Sequence, residues 1–355
     1  MKNVTYRRKT RKHSAVESLT QAQKLIFAPM VFQAIGSLLD FGILQSIDEV
    51  PQTIDDLKER LNLDEYTIIT LLDVAQVADI VFQDKNGVFF TTNIGKSFLY
   101  DKMTIINFNF IRNCCYLGAS ELTKSFEKSI PAGLKFYSKK ESKKLYSELP
   151  SMLKEFKDSW YSFDNYYSDN CFEEVYDYIM KHNPLKIFDI GGNTGKFEQI
   201  CLKKSSNIEI TMLDLKENID VVSKKDELKS CKFYPINVLD KNASFPRFSG
   251  AILMSQFLDC FSKEEIYFIL SNVKKSAESG TYIYILEPFT DNQVFEGAKY
   301  SLVNTSLYFT CIANGNSKMY KKSEIVGIAK NVGLEICNIY ENVGINDYTL
   351  LEYKV

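Results

Sequence analysis

A glycine-rich loop that directly follows a short apolar stretch constrains the fold of this chain more than any other feature. Residues 187–190 form the apolar stretch, which includes Asp189, and glycines follow from Gly191 onward. Such a stretch is typical of a buried parallel strand, and the glycines allow a sharp turn that a ligand can approach closely. Because residues from Lys196 onward have a helical pattern, the segment predicts the strand–loop–helix unit that binds nucleotides in an open α/β sheet.

The positions of the glycines and of two acids indicate which nucleotide this loop would bind. A dinucleotide loop requires the pattern G-x-G-x-x-G, but Asn193 and Lys196 stand where its second and third glycines would be. A carboxylate at Asp189 would repel a pyrophosphate and would not repel a cationic amine. S-adenosylmethionine carries such an amine and no phosphate, and Asp214, at the end of the next apolar stretch, is placed to accept both ribose hydroxyls. The alternative is an ordinary glycine turn between a strand and a helix.

Length, charge and cysteine content limit the classes of function. The 355 residues are enough for two domains, and the formal net charge of -2 argues against a general nucleic-acid binder. We expect no membrane partner, because no apolar run approaches the ~18–20 residues that span a bilayer. The eight cysteines form no CxxC pair and the chain has two histidines, so we expect no metal site and a reduced, cytoplasmic protein.

The pattern of helices, strands and charges divides the chain into four regions. We expect a disordered basic tail at 1–19, a winged-helix dimerisation domain at 20–103, a helical linker and substrate-pocket region at 104–180, and a Rossmann-like domain at 181–355.

Three predicted helices and a hairpin form a winged-helix pattern in the first of the two domains. The helices are expected at 32–44, 54–61 and 65–78, and the hairpin, with an Asn-Gly turn, at 81–90. Winged helices often bind DNA, but the second and third helices here are acidic and contain only Lys58 and Arg60 as bases. Because a recognition helix must present positive charge to phosphates, we expect a dimerisation and lid module instead.

Aromatic residues are concentrated in the region 104–180. Most of them are expected to pack in the core between two domains. The segment 160–169 also carries polar groups, so Trp160, Phe163 and Tyr166 are the candidate substrate-pocket residues for a flat or elongated apolar molecule.

Strands and helices alternate from Lys186 to the C-terminus. Strands are predicted at 186–190, 209–214, 232–238, 250–257, 281–287, 335–341 and 348–354, and helices at 195–204, 216–229, 262–278 and 321–332. This alternation predicts a parallel sheet wrapped by helices. The last two strands are joined by residues 342–347, which are too few for a crossover helix, so the final pair should be antiparallel. The predicted fold class is α/β, a Rossmann-like seven-stranded sheet of the class I methyltransferase type.

Four motifs make the chain similar to a known family. The glycine loop at 189–195 and the acid Asp214 are two of them. The third is Ile236-Asn237-Val238, where the family has Gly-Asp-Met/Phe, and the fourth is 253–265, which aligns without gaps on the family's F-M-K-W-I-L-H-D-W-S-D-E-E. On these motifs the chain resembles the two-domain small-molecule O-methyltransferases, which include plant caffeate-type and hydroxyindole-type enzymes and bacterial relatives.

The resemblance implies the cofactor, the oligomeric state and most of the site residues. It implies an S-adenosylmethionine-dependent enzyme of secondary metabolism that is a homodimer and takes a small-molecule substrate. The implied cofactor-binding residues are Asp189, Gly191, Gly192, Asn193, Gly195, Asp214, Leu215, Asn237, Val238, Met254 and Ser255.

The catalytic position departs from the family pattern. The family's histidine base corresponds here to Asp259, and neither histidine of the chain falls there. Glu287 matches the first of two glutamates that brace the histidine, while the second is lost around Lys318. A free aspartate is a poor base for a phenol, although burial would raise its pKa. Asp259 is therefore a weak base, an orienter of a substrate hydroxyl, or only a cap for the helix that starts near Ser262.

Two functions remain open from the sequence alone. The first is methyl transfer from S-adenosylmethionine to a hydroxyl of a small aromatic or conjugated molecule, or to a ring carbon beside one, with Asp259 and Glu287 as the catalytic residues. The alternative is a cofactor-binding homologue that has lost methyl transfer and acts as a dimeric partner or catalyses another reaction. The changes at Asp259 and Lys318 motivate this alternative.

Overall fold

The computed structural model describes residues 14–138 and 144–355, which form two compact units that divide after Ile105. Residues 1–13 of the predicted basic tail lie outside the described residues. The rest of that predicted tail is helical rather than disordered, because the first helix begins at Ala15, where Ser14 and Glu17 form a capping box.

The N-terminal unit contains the predicted helices and hairpin. Its elements are α1 (Ala15–Asp40), α2 (Ile43–Glu49), α3 (Ile54–Leu61), α4 (Glu65–Val77), β1 (Val81–Gln83), β2 (Phe89–Thr91) and α5 (Asn93–Tyr100). The helix predicted at 32–44, with Gly42 as its stop, is the last part of α1, which ends at Asp40; Gly42 adopts φ +71 and a second helix follows it. Thr53 and Asp56 form the capping box that begins α3, as the sequence indicates. The assignment of these elements as a winged helix stays a prediction.

Helix α1 presents an exposed apolar surface. Leu25, Ile26 and Met30 are each more than 60% exposed. By length and composition α1 is the one helix of residues 14–138 and 144–355 that could cross a membrane, with a mean hydropathy of 1.3 over its most apolar window. The expectation that no apolar run approaches membrane-spanning length is therefore wrong for this helix. A helix surface of this size needs a partner of some kind.

The C-terminal unit is an α/β sandwich that follows a helical segment. The helices from residue 102 onward are α6 (Lys102–Phe110), α7 (Leu122–Lys128), α8 (Lys154–Ser168), α9 (Phe172–Met180), α10 (Lys196–Lys204), α11 (Lys216–Val222), α12 (Lys263–Ser276), α13 (Glu296–Tyr308) and α14 (Lys322–Val332). The strands are β3 (Lys186–Ile190), β4 (Glu209–Asp214), β5 (Lys232–Pro235), β6 (Ala251–Ser255), β7 (Tyr282–Glu287), β8 (Glu335–Val343) and β9 (Tyr348–Lys354). The sequence did not predict α13, and the helix expected at 216–229 ends at Val222.

The seven strands form one sheet in the order β5-β4-β3-β6-β7-β9-β8. The first five are parallel, and β9 runs antiparallel to both of its neighbours, which confirms the predicted antiparallel final pair. The strand order reverses at β3 and β6, and open α/β sheets bind their ligands at such a switch point.

Alternate residues of each strand pack on opposite faces of the sheet. Ile187 belongs to the core under α9, α10 and α11, whereas Phe188 and Ile190 belong to the core under α12 and α14. This period of two determines which side chains at the strand ends can face a ligand. A third core, which includes Phe110 and Trp160, joins the helical segment to the end of α13.

Candidate active site

The glycine loop between β3 and α10 adopts the conformation that the sequence predicts. Gly191, Asn193 and Gly195 all have positive φ, of 86°, 47° and 76°. A Cβ at Gly191 would lie 2.3 Å from the Phe257 ring, so glycine is needed for this ring to pack against the loop. The Gly191 N–H donates to Leu213 O at 2.8 Å, which holds the loop against the end of β4.

The acid within β3 does not face the space above the loop. Asp189 is only 3% exposed and lies beside Glu198 of α10, which is fully buried. A Cβ at Gly192 would be 2.5 Å from Glu198 Oε1 and 3.1 Å from Asp189 Oδ2, so both carboxyl groups lie behind the loop. Burial raises the pKa of Asp189 to about 7 and raises that of Glu198 well above its usual range. The direct contact between Asp189 and a cationic ligand that the sequence suggests stays unsupported by this geometry.

The acid at the end of β4 is oriented by three donors. Asp214 Oδ1 accepts from the Leu215 N–H at 2.6 Å, and Oδ2 accepts from the Asn193 N–H at 3.0 Å and from Asn218 Nδ2 at 2.8 Å. The side chain is half-buried and lines the cavity described next. A carboxylate held in this way at a strand end is placed to accept two vicinal hydroxyls of a ribose.

A cavity of about 860 Å³ opens at the carboxyl ends of β5, β4, β3 and β6. Its volume is in the usual range for a site that takes a small ligand. Of the predicted cofactor residues, Gly191, Asn193, Asp214, Leu215, Asn237 and Val238 line it. Gly192 and Gly195 shape the loop from behind, and Met254 and Ser255 lie within β6, where the following residues Gln256 and Phe257 reach the cavity instead.

The wall beyond β5 provides an apolar surface with one amide. Val238 and Ile236 are buried, while Asn237 is exposed at the cavity. Asn237 Oδ1 accepts the Leu239 N–H at 3.1 Å, which leaves its Nδ2 as the group that can donate to a ligand. An uncharged amide of this kind fits a ring nitrogen of adenine.

A second acid faces the cavity from the helical segment. Asp164, on α8, lines the cavity, and its Oδ2 accepts from Asn193 Nδ2 at 2.6 Å. Burial, with a smaller contribution from the negative charge of Asp259, raises the pKa of Asp164 to about 7. The sequence does not predict a role for Asp164, although Asp164 lies in the aromatic segment 160–169 that is predicted to line a substrate pocket.

The two predicted catalytic residues lie close together, and one of them lines the cavity. Asp259 is 6% exposed and lines the cavity, and its hydrogen bond is from the Cys260 thiol at 3.4 Å. Glu287 Oε1 accepts from the N–H groups of Phe257 and Leu258, at 3.1 and 2.8 Å, and so holds the turn that carries Asp259. Burial raises the pKa of Asp259 to about 6 and, together with the charge of Asp259, raises the pKa of Glu287 well above its usual range.

The helix after Asp259 is capped by another residue. Ser262 and Glu265 form a capping box at the start of α12. The alternative in which Asp259 only caps this helix is therefore wrong. Lys318, at the position of the missing glutamate, is exposed and pairs with Glu324 at 3.3 Å. The contact on this side of the Asp259 turn comes from Asn314, whose Nδ2 donates to Cys260 O at 2.8 Å.

Aromatic side chains form the wall opposite the glycine loop. Trp160 and Phe163 line the cavity as predicted, but Tyr166 does not, and the next residue Tyr167 does. Trp160 Nε1 donates to the hydroxyl of Tyr308 at 2.6 Å, and the ring of Phe163 stacks on Phe110. Tyr308 lies at the end of α13, the helix that the sequence missed, so no local pattern connected it to Trp160.

Two family models match the chain. A Dimerisation2-like domain matches residues 20–89, and an O-methyltransferase domain matches residues 168–335, so the two together cover about two thirds of the sequence. Residues 168–335 therefore form an O-methyltransferase domain, and a Dimerisation2-like domain precedes it. No curated protein sequence matches the chain closely enough to count as a relative.

Solved structures of other methyltransferases share the fold of this chain over nearly its whole length. Mitomycin 7-O-methyltransferase MmcR has a TM-score of 0.71 and 14% identity, over 96% of this chain and 98% of its own. NcsB1 from neocarzinostatin biosynthesis, in complex with S-adenosylmethionine and 2-hydroxy-5-methyl naphthoic acid, has a TM-score of 0.67 and 16% identity, over 97% and 99%. Human N-acetylserotonin methyltransferase, in complex with S-adenosylmethionine, has a TM-score of 0.62 and 12% identity, over 97% and 99%.

The residues of this O-methyltransferase fit S-adenosylmethionine, the cofactor of the family. Gly191 opens onto the cavity, Asp214 is held ready there by three donors, and Asn237 lines the same cavity. When bound, the cofactor supplies a methyl group on a positively charged sulfur. The chain is an S-adenosylmethionine-dependent methyltransferase.

Proposed function

We propose that this enzyme transfers the methyl group to a hydroxyl of a small aromatic molecule. The observation that carries the proposal is that one cavity contains both Asp214 beside the glycine loop and Asp259 among aromatic walls. Cofactor and acceptor can therefore be held in contact, and orientation of two reactants is the largest need of a methyl transfer. Two of the similar structures are named for mitomycin and for a complex with a naphthoic acid. They support an acceptor that is an aromatic natural product, and so a role in secondary metabolism.

Asp259 is proposed to hold the acceptor hydroxyl and to take its proton. Its carboxylate receives a weak donor, the Cys260 thiol, so it retains capacity to accept a substrate O–H. With its pKa raised to about 6 by burial, it is a better base than a free aspartate and is still ionised at neutral pH. Glu287 is a positioning residue, because it acts on the backbone of the turn that carries Asp259.

A homodimer in the cytoplasm is proposed as the working form. The match of residues 20–89 to a Dimerisation2-like domain, together with the exposed apolar surface of α1, supports self-association. The eight free thiols fit a reducing compartment. In a dimer the apolar surface of α1 would be covered by the second copy, so a membrane is not needed to explain it.

Titration with S-adenosylhomocysteine, the product of the cofactor, tests the first step of the proposal. Isothermal titration calorimetry should show binding in the micromolar range, and Asp214→Ala should weaken it by ~10–100-fold, because two charge-assisted hydrogen bonds to the ribose are lost. The proposed cofactor site would be refuted if the parent showed no binding in the micromolar range. It would also be refuted if the parent and Asp214→Ala had the same Kd.

Methyl-labelled S-adenosylmethionine then distinguishes the two functions that the sequence left open. The enzyme is incubated with the labelled cofactor and a panel of hydroxynaphthoic acids and hydroxyindoles. Label in an ether-linked product supports O-methyl transfer. Tight cofactor binding with no label in any product, in this panel or in cell extracts, would favour a homologue that does not transfer methyl groups.

A further inference from the structure

Asp164 is a half-buried acid that lines the cavity, and the proposed reaction has no use for it. It belongs to α8, and Oδ2 is bound by Asn193 Nδ2 at 2.6 Å. Asn193 in turn donates its N–H to Asp214 and accepts from Asn218 Nδ2 at 2.8 Å through its carbonyl. Asn193 therefore connects Asp164 to the glycine loop, and it also connects Asp164 to Asp214, the acid at the proposed ribose position.

No basic side chain of residues 14–138 or 144–355 forms a salt bridge with Asp164. The two lysines that line the cavity pair elsewhere, Lys144 with Glu265 at 3.6 Å and Lys216 with Asp220 at 2.8 Å. The charges that act on Asp164 are those of Asp259 and Asp169, which are also negative. A half-buried carboxylate beside two other acids is stabilised when a ligand supplies a positive group.

The sequence predicts that Asp189 meets the cofactor amine, but this acid does not open onto the cavity from its place in β3. Asp189 lies behind Gly192 beside Glu198 and does not line the cavity. The carboxylate that does face the cavity beside the loop is Asp164, which comes from a different element. Asp214 is occupied by its three donors at the ribose position.

We propose that Asp164 forms an ammonium-binding subsite, which holds the α-amino group of the cofactor from helix α8. The inference rests on the proposed cofactor site and deepens it. The contact is ionic and hydrogen-bonded, and it recognises the ammonium of the methionine moiety rather than its carboxylate. A ligand that has an aminopropyl group on sulfur and no carboxylate should therefore bind at least as well as S-adenosylhomocysteine.

Three adenosine thioethers test the subsite, because they share adenine, ribose and sulfur and differ in the chain on sulfur that would meet Asp164. S-adenosylhomocysteine has an ammonium and a carboxylate, decarboxylated S-adenosylhomocysteine has an ammonium alone, and 5′-methylthioadenosine has neither. In the parent protein, the decarboxylated ligand should bind at least ~10-fold more tightly than 5′-methylthioadenosine, as expected for one charge-assisted contact. This comparison needs no variant.

The second part of the experiment measures the Kd of the same three ligands for Asp164→Asn by calorimetry. The Kd of both ammonium ligands should rise by ~10–100-fold, while that of 5′-methylthioadenosine should stay within about twofold. Asp158→Asn is the matched control, because Asp158 lies on the same helix, is exposed, pairs with Lys154 and does not line the cavity. It should leave all three Kd values within about twofold.

The outcomes separate this inference from the cofactor site on which it rests. Equal weakening of all three ligands by Asp164→Asn would show a structural role and overturn the subsite. Unchanged binding of S-adenosylhomocysteine would also overturn it and would assign Asp164 to the acceptor side. A parent protein that binds none of the three ligands would overturn the cofactor site itself, and the subsite with it.

Discussion

At the residue scale, the site depends on carboxyl groups that burial has made weaker acids. Asp164, Asp189 and Asp259 all have a raised pKa, in each case mainly because the side chain is removed from water. They are not equivalent, however. Asp189 is enclosed behind the glycine loop, Asp164 faces the loop, and Asp259 faces the aromatic walls. The direction of each side chain, rather than its acidity, decides which ligand group it can meet.

Replacing Asp259 tests its role in proton transfer. Asp259→Asn should lower kcat by ~10²–10⁴-fold, because the amide has no capacity to take the proton of the acceptor hydroxyl. In the parent enzyme the active form is the carboxylate, so kcat should rise with pH through about 6, where burial places the pKa of Asp259. The variant should lack this rise. The measurement is labelled methyl transfer to an accepted phenol between pH 5 and pH 8.

The control for this experiment is Glu264→Gln, an exposed acid in the first turn of α12. It should retain both the parent kcat and its dependence on pH. An Asp259→Asn enzyme with a kcat within threefold of the parent would contradict the assignment of Asp259 as a base and would leave it as an orienter of the substrate.

At the element scale, the site depends on where neighbouring elements end and how they meet. Strand β3 ends at Ile190, helix α10 begins at Lys196, and the loop between them turns with three positive φ angles. The period of two along β3 places Asp189 on the face that carries Ile187, under α10. Glu198 comes to the same place from the first turn of α10, so two acids share a dry space between strand and helix.

Replacing Glu198 tests this pair. A carboxyl whose pKa is raised by folding contributes stability that is present at low pH and is lost as the pH rises through the raised value. Glu198→Gln removes the carboxyl group that would lose its proton and keeps a hydrogen-bond donor beside Asp189. It should therefore raise the free energy of unfolding at pH 8 by ~1 kcal/mol or more and change it little at pH 5. Thermal unfolding at the two pH values measures the difference.

The half-buried Glu209 offers a contrast, because its pair with Lys232 lowers rather than raises its pKa. Glu209→Gln should not raise the melting temperature at either pH. The account of the buried pair fails if Glu198→Gln lowers the melting temperature at pH 8 as much as at pH 5.

At the scale of the whole molecule, the exposed apolar surface of α1 is the feature that a single chain leaves unexplained. A folded chain rarely leaves so many adjacent apolar side chains in water. Because the Dimerisation2-like match covers residues 20–89, a second copy is the partner that we expect. A bilayer is the competing partner, since α1 has the length and composition of a membrane span.

Light scattering coupled to size exclusion tests the dimer. The parent should have about twice the chain mass of 40.8 kDa, and the double variant Ile26→Glu, Met30→Glu should shift toward the monomer, because charges would be buried at the interface. Lys24→Glu, in the same helix and already charged, is the control and should remain dimeric. A monomeric parent, or a parent that sediments with lipid vesicles, would contradict the proposed dimer.

The sequence by itself determined the local elements and their chemistry. The glycine loop, Asp214, the capped helix α3 and the antiparallel last strand follow from patterns within a few residues, because turns, caps and strand periods are local, whereas the position of Asp259 follows from the family resemblance. The tertiary structure alone decided which acids face the cavity. Asp164 meets the loop, and Trp160 meets Tyr308, through the packing of helices far apart in the chain, and no local pattern contains that information.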